Sequence, residues 1–368
     1  MMPITALGPI SRQRPVRRAC SSGTRRHVRW GQAVVVLGLA GYLVGGAVGA
    51  EASAAVTLNR LGGADRYGTA EAIAEASFPV APTVVLASGD SFPDGLSAGY
   101  LAGRLHSPVL TTSADGLSPA AATTIEKLGS KAVDIVGGAD ALSPSVDAQL
   151  RAKGLTVERI AGQTRYQTAA ATAEVFPKSF VGSLGNGGPT AIVATGTNFA
   201  DALSGAPMSY SAAFPLLLTD PSRLSSDASS ALQMLGITQV VLLGGESAVS
   251  AGVSQSISAL GITVTREAGH DRTDTARLVA ELEVRSLGYG PAAVGLARGD
   301  LFADALAAAG RGGYAREPVL LAQDPTNLGP ATTSYLQANA AHIASIDVFG
   351  LSSAISDETA SAARAAAG

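Results

Sequence analysis

The chain has 368 residues, which at roughly 150 residues per domain corresponds to two or three domains. It is 46% apolar, 15% charged and 5% aromatic, which excludes bulk disorder, and its single cysteine excludes a disulfide scaffold. Its 43 glycines are too few for a collagen-like repeat, and the net charge of −3 averages two unlike segments.

The first 54 residues carry seven arginines (Arg12, Arg14, Arg17, Arg18, Arg25, Arg26, Arg29) and one acid, Glu51. An uncharged apolar run over 33–50 follows the arginines, and Ala52-Ser53-Ala54 supplies a small-x-small site. Basic region, apolar region and small-residue site in that order read as a secretory signal over 1–54, cleaved near Ala54 or, alternatively, after Ala50. The other reading is an uncleaved anchor, since 18 residues just span a bilayer; the glycines of the run and the site after it favour cleavage. Thr24-Arg25-Arg26-His27-Val28 partly fits a twin-arginine signal, but Arg29 stands where an apolar residue is preferred, which leaves the export route open. Cleavage at Ala54 removes seven of 26 basic and one of 29 acidic residues, leaving a net charge of −9 with no Cys and no Trp. Such a chain needs no oxidative folding. Its acidity argues against nucleic acid as a partner, and any anionic ligand must be held by local arginines.

After the leader, alternating strands and helices are expected. Arg66 to Ser77 reads as a helix with Tyr67, Ala70, Ile73 and Ala74 on one side. Thr83 to Ala87 is a short β-branched strand, Asp94 to Arg104 a helix, and Val109 to Thr111 a strand. Ser118-Pro119 caps a helix over Ala120 to Leu128. Ala132 to Val136 is a strand, Gly137-Gly138 a turn, Ser143-Pro144 a further cap, and Leu155 to Arg159 a strand that opens a second unit.

This unit is written three times. Arg60-Leu61-Gly62-Gly63-Ala64-Asp65-Arg66-Tyr67 returns as Arg159 to Tyr166 and as Arg266 to Thr273. Ser88-Gly89-Asp90-Ser91-Phe92-Pro93-Asp94-Gly95-Leu96 returns as Thr195 to Leu203 and as Arg298 to Leu306. Pro108-Val109-Leu110 and Ile135-Val136-Gly137-Gly138 each recur twice more, in the same order. The expected domains are residues 55–155, 156–262 and 263–368. The expected fold is α/β: three tandem Rossmann-like domains with parallel sheets, packed as an intramolecular pseudo-trimer because no spacer separates them.

The repeated blocks resemble the type 2 cell-wall-binding repeat of Gram-positive surface proteins, over essentially the whole chain from Thr57. The resemblance implies three Rossmann- or Toprim-like lobes packed as a pseudo-trimer. It also implies noncovalent attachment to the cell wall through anionic secondary polymers or peptidoglycan, at the wall or outside the cell. Members often carry a separate effector domain; here the leader and the repeats account for all the residues. The third unit departs from the pattern at Thr273, where Tyr67 and Tyr166 stand, and at Leu351, where the turn has its second glycine; the first departs at Gly95.

The candidate binding residues are Arg66, Arg165 and Arg272, whose guanidinium forks suit carboxylate or phosphate oxygens, with Tyr67, Tyr166, Asp94, Asp201 and Asp304. The competing reading is internal: a buried Arg–Asp pair would explain both charged sets without a ligand. Phe92, Phe199 and Phe302 read as core before sugar-stacking, and the Gly-Gly turns as tight turns before phosphate cradles. Asp65, Asp90, Asp140 and Asp300 read as loop solubilisers. No metal or cofactor is expected: His106, His270 and His342 lie at no ligand spacing, and neither a dinucleotide nor a Walker-type motif occurs. No nucleophile elbow occurs either, so no catalytic residue is nominated. A wall-lytic enzyme, an amidase accessory protein and an extracellular small-ligand receptor are the alternatives.

Overall fold

The computed structural model describes residues 55–368, so the expected leader lies outside the described residues. The first unit runs β1 (Thr57–Leu61), α1 (Arg66–Ser77), β2 (Thr83–Ser88), α2 (Ala98–Leu105), β3 (Val109–Thr112), α3 (Pro119–Lys127), β4 (Ala132–Val136) and α4 (Pro144–Ala152). The second runs β5 (Thr156–Ile160), α5 (Arg165–Glu174), β6 (Thr190–Thr195), α6 (Ala200–Ser204), α7 (Ala206–Ala212), β7 (Leu216–Thr219), α8 (Ser226–Met234), β8 (Gln239–Leu243) and α9 (Ala251–Ala259). The third runs β9 (Thr263–Glu267), α10 (Arg272–Leu287), β10 (Ala293–Arg298), α11 (Ala303–Ala315), β11 (Val319–Ala322), α12 (Pro330–Ala338), β12 (Ser345–Phe349) and α13 (Asp357–Ala367).

Local chemistry sets these boundaries. Asp65 caps α1 by accepting from the Tyr67 and Gly68 amides, Thr164 caps α5, and Asp271 caps α10. Ser118 caps α3 through the Ala121 amide, with Pro119 at the first helical position. The central strands β2 and β6 are buried almost throughout, as strands covered on both faces must be.

The strands form three four-stranded parallel sheets, ordered β3-β2-β4-β5, β7-β6-β8-β9 and β11-β10-β12-β1. The sheets and the sequence repeats are therefore out of phase by one strand. β5 opens the second repeat but completes the first sheet, and β9 opens the third repeat but completes the second. The third sheet is completed by β1 from the far end of the chain, with Thr57 opposite Ser345 and Leu61 opposite Phe349.

At the centre, α2, α7 and α11 pack on one another. The first helix of each repeat bridges two lobes: α1 packs on β3 and on α11, α5 on β7 and on α2, α10 on β11 and on α6. The abundance of Gly and Ala follows from this geometry. A side chain on Gly103 would overlap the Tyr210 carbonyl, and one on Gly313 would overlap the Tyr210 side chain. Gly103→Ala is expected to cost about 1–3 kcal/mol through overpacking between backbones that cannot yield, read as a lower midpoint in urea or thermal denaturation.

One lobe contains a polar network that the others lack. Arg311 of α11 places its Nη2 2.6 Å from Asp347 Oδ2 on β12 and its Nε 3.3 Å from Glu317 Oε2. Asn59 Nδ2 on β1 donates to Asp347 Oδ1 at 2.8 Å. Leu101 and Met208 stand where Arg311 does, and Ser107 and Phe214 where Glu317 does. Burial, reinforced by neighbouring Asp347 and opposed by Arg311, pushes the Glu317 carboxyl up to about 7. Folded protein then binds more protons than unfolded chain between the ordinary carboxyl value of 4.5 and about 7. Stability is thus expected to fall as pH rises through that window, and Glu317→Gln to flatten this part of the profile of Tm against pH.

Candidate binding site

The carboxyl ends of β2, β6 and β10 converge. Phe92, Phe199 and Phe302, each four residues past its strand, form a triangle with ring centroids 5.5, 5.9 and 6.1 Å apart. The rings meet edge-on or tilted, as aromatic quadrupoles prefer, and are half-buried. They tie the three lobes together at the pseudo-threefold axis.

Around this triangle lie the lobe seams, and the sequence-predicted residues meet there across repeats. Asp94 shares a cleft with Arg165 and Tyr166 of the next repeat. Asp304 of the third repeat shares one with Arg66 and Thr69 of the first. Asp201 faces Thr275 and Arg272. The arginines and aspartates do not pair with each other, contrary to the internal ion pair considered from the sequence. Each arginine instead donates from Nη1 to the loop carbonyl after its central strand: Arg66 to Gly89 at 2.5 Å, Arg165 to Gly196 at 2.6 Å and Arg272 to Gly299 at 2.8 Å. These bonds latch each helix start to its own sheet, and Arg66 and Arg165 also line a seam cleft. Arg66 is exposed, and Arg165 and Arg272 are half-buried.

Each aspartate lies against the turn after β4, β8 or β12. Asp94 accepts from the Gly138 amide at 3.3 Å. Gly137, Gly244 and Gly350 have φ of +133°, +96° and +99°, and a side chain on any of them would crowd the aspartate of its own lobe. The first glycine of the turn is thus required twice over. The second is not in the left-handed region, which is why Leu351 is tolerated there. Burial raises the Asp201 and Asp304 carboxyls above the usual carboxylate range, opposed by hydrogen bonding from Thr275 and Thr69 and by Arg272 at Asp201, Arg298 and Arg66 at Asp304.

Those threonines were not singled out in the sequence, yet they recur three residues after each arginine, as Thr69, Thr168 and Thr275. Each accepts from the glycine amide that precedes its helix, at 3.3, 3.1 and 3.2 Å. Thr69 and Thr275 in addition reach an aspartate of the preceding lobe. A second arginine set, Arg60, Arg159 and Arg266, clamps the turn carbonyls: Arg60 to Gly350 at 3.0 Å, Arg159 to Gly137 at 2.7 Å and Arg266 to Gly244 at 2.6 Å.

The tyrosines do structural work too. Tyr67 Oη donates to Asp90 Oδ1 at 2.7 Å, and burial together with that carboxylate pushes its hydroxyl up to about 12. Asp90 also accepts from the Ala114 amide at 2.9 Å, Asp65 is a helix cap, and Asp300 takes both Arg298 Nε and Nη2 at 2.7 Å. These three acids are therefore loop organisers, and of the four expected solubilisers Asp140 alone is an exposed loop acid without such a bond among the described residues. Tyr166 stands at the edge of the Asp94 cleft. Thr273 gives its hydroxyl to the cap Asp271 at 2.7 Å and is buried. Arg298, where Ser88 and Thr195 stand, thus supplies Asp300 with the partner that Tyr67 gives Asp90. Among the described residues no cluster of His, Cys, Asp or Glu is placed to hold a metal, and no helix is long and apolar enough to cross a membrane.

The model of the family described as cell wall binding domain 2 (CWB2) matches residues 60–147, 159–254 and 266–360. The chain belongs to that family. Its repeats are cell-wall-binding domains, three in tandem. The chain is 30% identical over 253 residues to the N-acetylmuramoyl-L-alanine amidase LytC of Bacillus subtilis, covering 69% of this chain and 48% of the amidase. It is 32% identical over 230 residues to the amidase enhancer of the same organism, covering 62% of this chain and 30% of that protein. It thus spans half or less of the length of these relatives. Among solved structures, Cwp8 from Clostridium difficile matches with a TM-score of 0.74 at 23% identity, over 85% of this chain and 52% of Cwp8. Cwp6 from the same organism matches at 0.72 and 20%, over 84% of this chain and 48% of Cwp6. The expected α/β architecture of three parallel-sheet lobes is the observed one.

Thr275→Val is expected to cost about 1–3 kcal/mol, because it strands both the Gly269 amide and Asp201 at a lobe seam. A urea titration monitored by far-UV circular dichroism reads the loss.

Proposed function

We propose that this chain is exported and held noncovalently on the cell wall by anionic secondary polymers, bound at the seams between its three lobes. The carrying observation is the placement of Arg66, Arg165 and Arg272. Each spends one guanidinium nitrogen on its own loop; Arg66 and Arg165 line clefts at the carboxyl ends of the sheets, and Arg272 faces Asp201. A fixed planar fork suits phosphate and carboxylate oxygens. A chain expected to carry −9 after leader removal offers no general attraction to a polyanion, so local arginines must supply it. Three weak sites on one rigid ring gain avidity on a repeating polymer. The repeats over 55–155, 156–262 and 263–368 act here as binding units without catalysis, cofactor or metal, and Asp94, Asp201 and Asp304 shape the clefts while Tyr67 and Tyr166 brace them.

Residues 55–368 are to be mixed with purified wall sacculi before and after mild acid removes the secondary polymers. Binding is expected to intact walls and to be lost on stripping. The R66K/R165K/R272K variant is expected to bind about tenfold more weakly because an ammonium cannot reproduce the fork. Binding that survives stripping would move the ligand to peptidoglycan, and clearing of walls in a zymogram by the purified chain would replace the binding reading with a lytic one.

A further inference from the structure

The three seams are related by the pseudo-threefold axis but differ in chemistry. Where the third lobe meets α1, Leu301 stands in the position of Ser91 and Asn198, and Leu351 in that of Gly138 and Gly245. Both leucines line the cleft and are exposed, at 45% and 41%, although buried positions for leucine abound in this fold. Facing them across the same cleft are Asp304, Arg298 and Arg66. Arg298 is new to this lobe; Asp300 holds its Nε and Nη2, which fixes the guanidinium plane and leaves Nη1 outside that pair of bonds. The cleft encloses about 260 Å³, against about 520 Å³ for the Asp94 cleft. That volume lies just below the usual range of small-ligand sites and suits a single ring or its substituent, not an oligomer.

We infer that this cleft is a subsite for the acetamido group of an N-acetylated sugar residue, and that it reads the wall polymer where the other two seams only hold its charge. An acetamido group needs three things within one small space. Its methyl needs an apolar lip, which Leu301 and Leu351 form. Its N–H needs an acceptor, which the half-buried Asp304 carboxylate provides. Its carbonyl needs a fixed donor, which Arg298 and Arg66 supply. The Asp94 cleft has the carboxylate and the arginine but Ser91 and Gly138 in place of the lip, so it offers an acetyl methyl nothing to bury against.

This inference rests on the attachment reading, and its test is chosen so that the two can fail separately. Residues 55–368 with 13C-labelled leucine methyls are titrated with N-acetylglucosamine, N-acetylgalactosamine and N-acetylmannosamine, with glucosamine and glucose as controls. At least one N-acetylhexosamine is expected to shift the Leu301 and Leu351 methyl signals while the controls do not. The L301S/L351G variant, which installs residues found in the other lobes, is expected to bind that sugar about tenfold more weakly. No methyl shift with any of the three sugars, or equal shifts with the controls, overturns the subsite. Failure of unmodified residues 55–368 to bind intact walls, with the methyl response present, would instead overturn the attachment reading and leave the subsite standing.

Discussion

Every sheet in this protein is one strand short within its own lobe. β2, β3 and β4 need β5, the next sheet needs β9, and the last needs a strand from outside its own repeat. β1 fills that place, so the parallel pairing of β1 with β12 holds the ring closed. A lobe excised at the sequence repeat would expose an unpaired strand edge, and strand edges are costly and adhesive. Three repeats are therefore one cooperative object, and the tandem arrangement in the sequence becomes a circular one in space.

Circularity also explains why the repeated charged residues meet across repeats. An aspartate after one central strand faces the arginine that begins the next helix, and the last aspartate faces the first helix. The groups that join neighbouring lobes thus also line the clefts. On the proposed reading, binding and assembly share side chains, because a guanidinium has enough donors to bond a loop carbonyl and still present a charged edge.

Much of this was legible in the sequence. The β-branched runs, the Ser-Pro caps and the four recurring blocks place the strands and helices within a few residues, since they report local backbone preference and burial period. β4 falls on the expected residues 132–136. What local pattern does not carry is strand partnership: Leu155 to Arg159 reads as the start of a unit, and only tertiary pairing puts β5 with the sheet before it. The Arg–Asp question fell for the same reason, because the partners of Arg66 lie in Gly89 and, across the ring, beside Asp304. Thr69, Thr168 and Thr275 were visible as a repeat, but a threonine inside a helix carries no signal of its own until the glycine amide and the aspartate are known to be near. Phe92, Phe199 and Phe302 were expected in a core; they pack against it, half-buried, as the hub of three lobes.

The bond between Asn59 and Asp347 gives the ring a means of telling its own ends apart. The equivalent cross-strand pairs are Asp134 with Glu158 and Val241 with Thr265. Were β5 to dock on β12, Glu158 would meet Asp347 beside Glu317, three carboxylates with one Arg311 between them. β5 is thereby refused, but β1 from a different molecule is not. A chain whose β1 has left its slot offers an empty groove at one end and a matching ribbon at the other. Many such chains would join head to tail, so the feature that makes a ring at low concentration is the same one that makes a polymer when rings open in a crowd.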